Sequence, residues 1–102
     1  MISVKIYQNK HNHITRFAVK NHGEPIVCAA VSALVITCVN FLAEVLNQEL
    51  DLVVKDEQLI DCTLLSPEIS PLVASAVRQM LYGLELIAED YPEEIKIELK
   101  SR

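Results

Sequence analysis

An uncharged run of eighteen residues, 26–43, limits the folds open to this chain more than any other feature. Its alanines and leucines favour a helix over about residues 25–48, and the proline at the start has no amide hydrogen to lose. The run is marginally short for a membrane span of about 20 residues, and Ser32, Thr37 and Asn40 interrupt it. We therefore expect a helix that lies in the middle of a soluble domain or is shared with a second subunit.

Short segments of alternating apolar and polar residues surround this helix and predict strands. The first hairpin joins residues 2–7 to residues 15–20, and the second joins residues 52–54 to residues 60–64 across a turn at 55–57. Residues 95–99 alternate in the same way and predict a last strand. Because each of these segments has one apolar side, they need an apolar layer to cover them.

A second helix is predicted between the second hairpin and the last strand. Ser66 and Ser70 each precede a proline, so either can cap the helix start, and apolar residues then recur every three or four positions until Tyr91 and Pro92. The predicted order is β-β-α-β-β-α-β over residues 1–102. This is a single α+β domain with a largely antiparallel sheet and two helices.

The net charge and the cysteine content limit the classes of partner and the cellular compartment that we expect for this protein. Nine basic against fourteen acidic residues give a net charge of -5, which argues against nucleic-acid binding. The cysteines, Cys28, Cys38 and Cys62, are odd in number and show no C-x-x-C spacing, and strand-like sequence follows Met1 directly where a signal peptide would show an apolar run. We therefore expect a cytoplasmic protein that does not bind a membrane.

Two of the cysteines, and two histidines, are expected to have ordinary structural roles. Cys38 lies ten residues beyond Cys28 on the same helix, about 15 Å away, so the two can share neither a disulfide nor a metal. Cys38 and Cys62 both fall on apolar faces and are expected in the core. His11 and His13 occupy the first turn without a third ligand at suitable spacing, so no metal or cofactor is expected.

Chemistry is most plausible where His22 precedes the first helix and Cys28 falls in its first turn. Six residues of extended chain span roughly 20 Å, so the loop is long enough to bring the imidazole to the sulfur. A thiol attacks as the thiolate, which the helix N-terminus and a nearby imidazolium both favour. Free amides around Cys28 and Ala29 could then stabilise an oxyanion.

Two neighbouring residues could support this pair. Gly23 permits a left-handed or tight backbone beside His22. Ser32 lies one turn after Cys28 on the same helix face, where its hydroxyl could bond the Cys28 carbonyl, orient the sulfur or satisfy itself within the helix. Acidic residues near the end of the second helix either attract a basic peptide or form a solvated helix end; they are Glu85, Glu89, Asp90, Glu93 and Glu94.

The segment around the pair resembles a known family. His22 and Gly23, followed by Ile-Val-Cys-Ala-Ala-Val-Ser-Ala-Leu at residues 26–34, are similar to the signature of the ribosomal-processing cysteine proteases called Prp. The resemblance implies an endopeptidase that removes a short N-terminal extension from ribosomal protein L-twenty-seven during large-subunit maturation. It further implies Cys28 as nucleophile, His22 as general base and Ser32 as a supporting serine, in a cytoplasmic, metal-independent homodimer.

One departure from the family pattern lies between the histidine and the cysteine. The family has a longer, glycine-containing loop with an aspartate directly before Ile-Val-Cys, where this chain has Pro25 preceded by Glu24. Either this protein has lost part of a substrate-covering loop, or the sequence leaves out mobile residues at this point. No third catalytic residue is therefore assigned, and Glu24 is the one candidate for orienting the histidine.

Two other functions remain open from the sequence. The first is a non-catalytic, ribosome-associated binding module whose acidic surface docks a basic ribosomal protein. The second is a thiol redox sensor, although no resolving cysteine is placed near Cys28 in the sequence.

Overall fold

A computed structural model describes residues 1–56 and 59–101 and gives the predicted order of elements. Glu57, the last residue of the predicted second turn, lies outside the described residues. The bounds are β1 Ile2–Gln8, β2 Ile14–Lys20, α1 Pro25–Asn40 with a π-helical extension Phe41–Val45, β3 Leu50–Lys55, β4 Leu59–Leu64, α2 Pro71–Asp90 and β5 Ile95–Ser101.

The strands form one mixed sheet in the order β3-β4-β2-β1-β5. Three of the four pairings are antiparallel, as expected for a largely antiparallel sheet. The exception is β5, which crosses over through α2 and pairs with β1 in parallel, with Ile2 opposite Ile95. This crossover brings the start of β5 next to the start of β1, at the end of the sheet where β2 finishes.

Both helices pack on one face of the sheet and form a two-layer domain. Phe17 of β2 lies at the centre of the core between these two layers. It is 0% exposed and is covered by apolar side chains of both helices. Cys38 and Cys62 belong to this core, which confirms their predicted role. On the opposite face of the sheet Arg16 forms a two-bond ion pair with Asp61, of 2.9 and 2.6 Å, and this hydrogen bonding raises the pKa of Arg16.

Helix α1 buries only one of its sides. The buried side consists of Val27, Val31, Val35, Cys38, Val39 and Leu42, whereas Ile26 is 70% exposed. The expectation that this helix lies in the middle of the molecule is therefore wrong, because nothing in residues 1–56 and 59–101 covers its outer face. By length and composition Pro25–Val45 could also cross a membrane, and 33% of its most apolar stretch is buried here.

Helix α2 begins at the second of the two predicted caps. Ser70 has an extended backbone, and its hydroxyl accepts a hydrogen bond of 3.3 Å from the amide of Val73. Pro71 then occupies the first turn, where its missing amide hydrogen costs nothing. The helix ends at Asp90, directly before Tyr91 and Pro92.

The edge strand β3 is less covered than its sequence predicts. Leu52 pairs with Cys62 and Val54 with Ile60, so both side chains face the helical layer. Yet they are 43% and 57% exposed, because neither helix extends over this edge of the sheet. An open apolar space therefore lies between α1 and the β3–β4 hairpin.

Candidate active site

A four-residue connection, residues 21–24, joins β2 to α1 and carries the predicted histidine. Asn21 has a left-handed backbone with φ of 72°, which turns the chain sharply as β2 ends. Glu24 is the residue before the helix, and its side chain does not cap the helix. Pro25 then fixes the first turn, so that Cys28 lies one turn into α1 on the side facing the connection.

The sulfur of Cys28 is in direct contact with this connection. The backbone amide of Gly23 donates a hydrogen bond of 3.1 Å to Sγ, and the thiol in turn lies 3.5 Å from the Gly23 carbonyl oxygen. Cys28 is half-buried, whereas the other two thiols are buried. Sγ therefore contacts both backbone polar groups of Gly23, the amide that donates to it and the carbonyl oxygen that the thiol proton can reach.

His22 and Cys28 line one cavity of about 380 Å³. His22 is exposed, and within residues 1–56 and 59–101 its ring makes no hydrogen bond, either to sulfur or to a carboxylate. The fold therefore brings the two predicted residues to the same space, and the amide of Gly23 is the group that touches the sulfur. The role of His22 as general base stays a prediction.

The rest of the cavity wall combines α1 with the uncovered edge of the sheet. Ala29 and Ser32 line it from the helix, Val19 and Ile60 from the sheet, and Val54 from the exposed strand β3. These side chains present an apolar surface directly beside the sulfur. Such a space can hold an apolar side chain of a peptide whose backbone passes the thiol.

The two predicted supporting residues of α1, Ser32 and Ala29, are exposed on this wall. The Ser32 hydroxyl makes no hydrogen bond within the described part of the chain, so it neither bonds the Cys28 carbonyl nor is satisfied inside the helix. It is free to meet a substrate.

The amides at the helix start differ from the prediction. The amide of Cys28 donates to the carbonyl of Glu24 over 2.9 Å, so the expectation that it is free is wrong. In an α-helix that begins at Pro25, the first free amides belong to Ile26 and Val27. Of the amides near the site, that of Gly23 is the one aimed at the sulfur.

Gly23 permits a close approach and does not form a left-handed turn. Its φ is not positive, but a Cβ at this position would lie 3.1 Å from Oε1 and 3.2 Å from the carbonyl oxygen of Glu94. Glu94 is itself a residue that the sequence did not single out from the acidic group. Its carboxylate accepts a hydrogen bond of 2.5 Å from the amide of Glu24, seventy residues away, a contact that no spacing in the sequence could reveal.

The remaining thiols and histidines lie away from this site. Burial raises the pKa of Cys38 to about 11 and that of Cys62 to about 12, which keeps both thiols protonated at neutral pH. His11 and His13 lie with their ring centres 6.5 Å apart at the first hairpin turn. Among the described residues, no three side chains of His, Cys, Asp or Glu are grouped to hold a metal ion.

Comparison with known proteins identifies close structural relatives. A model of the family described as cysteine protease Prp matches residues 1–96. A crystal structure of the essential ribosomal processing protease Prp from S. aureus, with a covalently linked product peptide, is 26% identical, with a TM-score of 0.91 over 98% of this chain and 100% of that one. The same protease with a substrate peptide is 25% identical, with a TM-score of 0.89 and the same coverage.

A further structure shares the fold. A protein from Streptococcus mutans is 22% identical, with a TM-score of 0.90 over 100% of this chain and 99% of that one. No curated protein sequence matches the chain.

Proposed function

Because this chain belongs to the cysteine protease Prp family, we propose that it is a ribosomal processing protease whose substrate is ribosomal protein L-twenty-seven. In this proposal it removes a short N-terminal extension during maturation of the large subunit. The observation that carries the proposal is the half-buried sulfur of Cys28, held by the amide of Gly23 on the wall of a cavity that His22 also lines. The S. aureus relatives with substrate and product peptides support it.

The proposed reaction begins with ionisation of the thiol. His22 takes the proton of Cys28, and Sγ attacks the carbonyl carbon of the scissile peptide bond. The charge that leaves the sulfur collects on the carbonyl oxygen, where backbone amides at the start of α1 can stabilise it. His22 then returns the proton to the leaving amine, which departs as the shortened protein. Water hydrolyses the acyl-enzyme and releases the N-terminal extension as a free acid.

The cavity suits an extended peptide with an apolar residue beside the cleaved bond. Val54 and Ile60 form its apolar wall, and Asp56 adds a carboxylate at the end of β3. The net charge of -5 attracts the basic chain of a ribosomal protein, while long-range attraction of this kind speeds encounter more than it strengthens binding.

The test is a processing assay with purified protein and a precursor of ribosomal protein L-twenty-seven. We expect the wild type and a Cys38→Ala control to release the extension, and Cys28→Ala to release none. Equal processing by Cys28→Ala would reject Cys28 as the nucleophile. Binding of the precursor by the wild type without any cleavage would instead favour the non-catalytic binding module.

We also propose that the protein is a cytoplasmic homodimer. The outer faces of α1 and α2 border an open groove of about 930 Å³ on which Phe41, Leu72 and Tyr82 are exposed. A second copy would cover these side chains, which is the physical reason for a dimer. Sedimentation analysis of the wild type, of Leu72→Glu and of an exposed-surface control, Glu85→Gln, tests it: only Leu72→Glu should sediment as a monomer. Cell fractionation tests the compartment.

A further inference from the structure

We propose that Glu94 is a positioning residue that fixes the loop on which Gly23 and His22 lie. This inference rests on the proposed function, since it assigns Glu94 a part in the same reaction. Glu94 does not touch the sulfur. It acts through the backbone of the connection between β2 and α1, by holding that backbone in the place from which the Gly23 amide reaches Cys28.

The first step is the contact itself. Oε1 of Glu94 accepts a hydrogen bond of 2.5 Å from the amide of Glu24, the residue that directly follows Gly23. The same oxygen lies close to Gly23, where even a methyl group would come within 3.1 Å of it. The Glu94 carboxylate therefore packs against one side of the Gly23–Glu24 peptide unit, while the sulfur of Cys28 accepts the Gly23 amide, 3.1 Å away.

The second step is the rigidity of Glu94. Its carbonyl oxygen accepts the amide of Ile2 over 2.8 Å at the start of β1, and its own amide donates to the Tyr91 carbonyl over 2.9 Å. Ile95, which follows, is buried in the sheet core. Glu94 is thus fixed at its carbonyl oxygen to the start of β1 and at its amide to the turn that follows α2, whereas the loop it holds is only four residues long and largely exposed.

The third step is that, within residues 1–56 and 59–101, no other carboxylate hydrogen-bonds the loop backbone. Glu24 was the sequence candidate for an orienting carboxylate, but its side chain does not even cap the helix. In the described part of the chain, the side chains of two residues hydrogen-bond the loop backbone: the Cys28 sulfur does so at Gly23, and the Glu94 carboxylate accepts the Glu24 amide. A carboxylate from the far end of the chain therefore does what the loop's own residues do not.

The test compares Glu94→Ala, Glu94→Gln and the matched control Glu93→Ala, whose side chain is exposed and adjacent. Two measurements are made on each: steady-state cleavage of the precursor, and the ratio of the Cys28 alkylation rate by iodoacetamide at pH 7 to that at pH 9.5. This ratio measures how much of the Cys28 thiol is ionised at pH 7. A change in how easily iodoacetamide reaches the sulfur affects both rates equally and therefore cancels. Thermal melting is followed in parallel.

We expect Glu94→Ala to lower kcat roughly 10- to 100-fold, because misplacement of a reacting group by about 1 Å has effects of this size. Its alkylation ratio should fall about fivefold, the effect of losing one ordinary hydrogen bond to the sulfur. Glu94→Gln keeps an oxygen acceptor and should restore both values to within about twofold. Glu93→Ala should equal the wild type in both.

The proposal is overturned if Glu94→Ala equals Glu93→Ala in both measurements, or if Glu94→Gln is as impaired as Glu94→Ala. It is also overturned if kcat falls only together with the melting temperature while the alkylation ratio is unchanged. If the wild type fails to cleave the precursor, the proposed function fails, and the alkylation ratio still decides whether Glu94 positions the loop at the thiol.

Discussion

The backbone amide of Gly23 donates a hydrogen bond to Sγ of Cys28 over 3.1 Å, so the proposed nucleophile is bonded directly to the loop that carries its proposed base. This contact separates two tasks that a histidine alone would otherwise perform. The amide holds the sulfur in place, and in the proposed reaction the imidazole of His22 moves the proton. The two tasks can therefore be tested apart.

Replacement of His22 by alanine should stop turnover more than it alters the thiol. We expect kcat for precursor cleavage to fall by roughly 10² to 10⁴, the usual contribution of a general acid–base group. Alkylation of Cys28 at pH 7.5 should stay within a few-fold of the wild type, because the Gly23 amide remains in place. His11→Ala, at the first hairpin turn, is the matched control. Full activity of His22→Ala would contradict its assignment.

Alkylation at pH 7.5 should be confined to Cys28 in the folded protein. Cys28 is half-buried, whereas burial raises the pKa of Cys38 to about 11 and that of Cys62 to about 12. Peptide mapping by mass spectrometry after brief iodoacetamide treatment should find the label on Cys28 alone. In guanidinium chloride all three thiols should react at similar rates. Label on Cys62 in the folded state would mean that the core opens at that position.

Because the pKa values of these two buried thiols are raised, the free energy of unfolding should depend on pH in alkaline solution. A thiol whose pKa is higher when folded contributes its full stability below the unfolded value of about 9 and loses it as pH rises towards the folded value. Urea unfolding should therefore give a constant free energy from pH 7 to 8.5 and a falling one above about pH 9. Cys62→Ala should flatten that fall, and an unchanged slope would contradict the prediction.

Truncation of the central core residue should destabilise the fold strongly. Phe17 is 0% exposed, so Phe17→Ala removes a whole ring from a packed interior and should lower the free energy of unfolding by about 3–5 kcal/mol. The milder Ile6→Val should cost about 1 kcal/mol. Leu72→Ala, at a residue that is 70% exposed, is the control and should change stability by less than about 0.5 kcal/mol at concentrations where the protein is monomeric.

Loss of the α2 cap should have a smaller, local cost. The Ser70 hydroxyl accepts the Val73 amide, so Ser70→Ala leaves a helix amide without its partner and should lower the free energy of unfolding by about 1 kcal/mol. Ser75→Ala, at an exposed position inside the same helix, should be neutral or slightly stabilising because alanine is the better helix former. Equal values for the two variants would show that the cap does not stabilise α2.

Much of this protein is determined by the sequence alone, because much of it is local. The periods of two and 3.6 residues predicted five strands and two helices in their correct order. Pro25 and Ser70 marked the helix starts, since an imino acid and a hydroxyl are suited to the first turn whatever surrounds them. The same local logic placed Cys28 in the first turn of α1 and put His22 in the loop before it.

What only the tertiary structure decided depends on contacts between distant parts of the chain. The exposure of Val54 was not predictable, because strand alternation shows which side a residue faces but not whether a helix covers that side. The parallel pairing of β5 with β1 depends on the path of α2 across the sheet. That pairing sets Glu94 beside Glu24, so a hydrogen bond across seventy residues holds the loop at the thiol, and only the folded chain can bring those two atoms together.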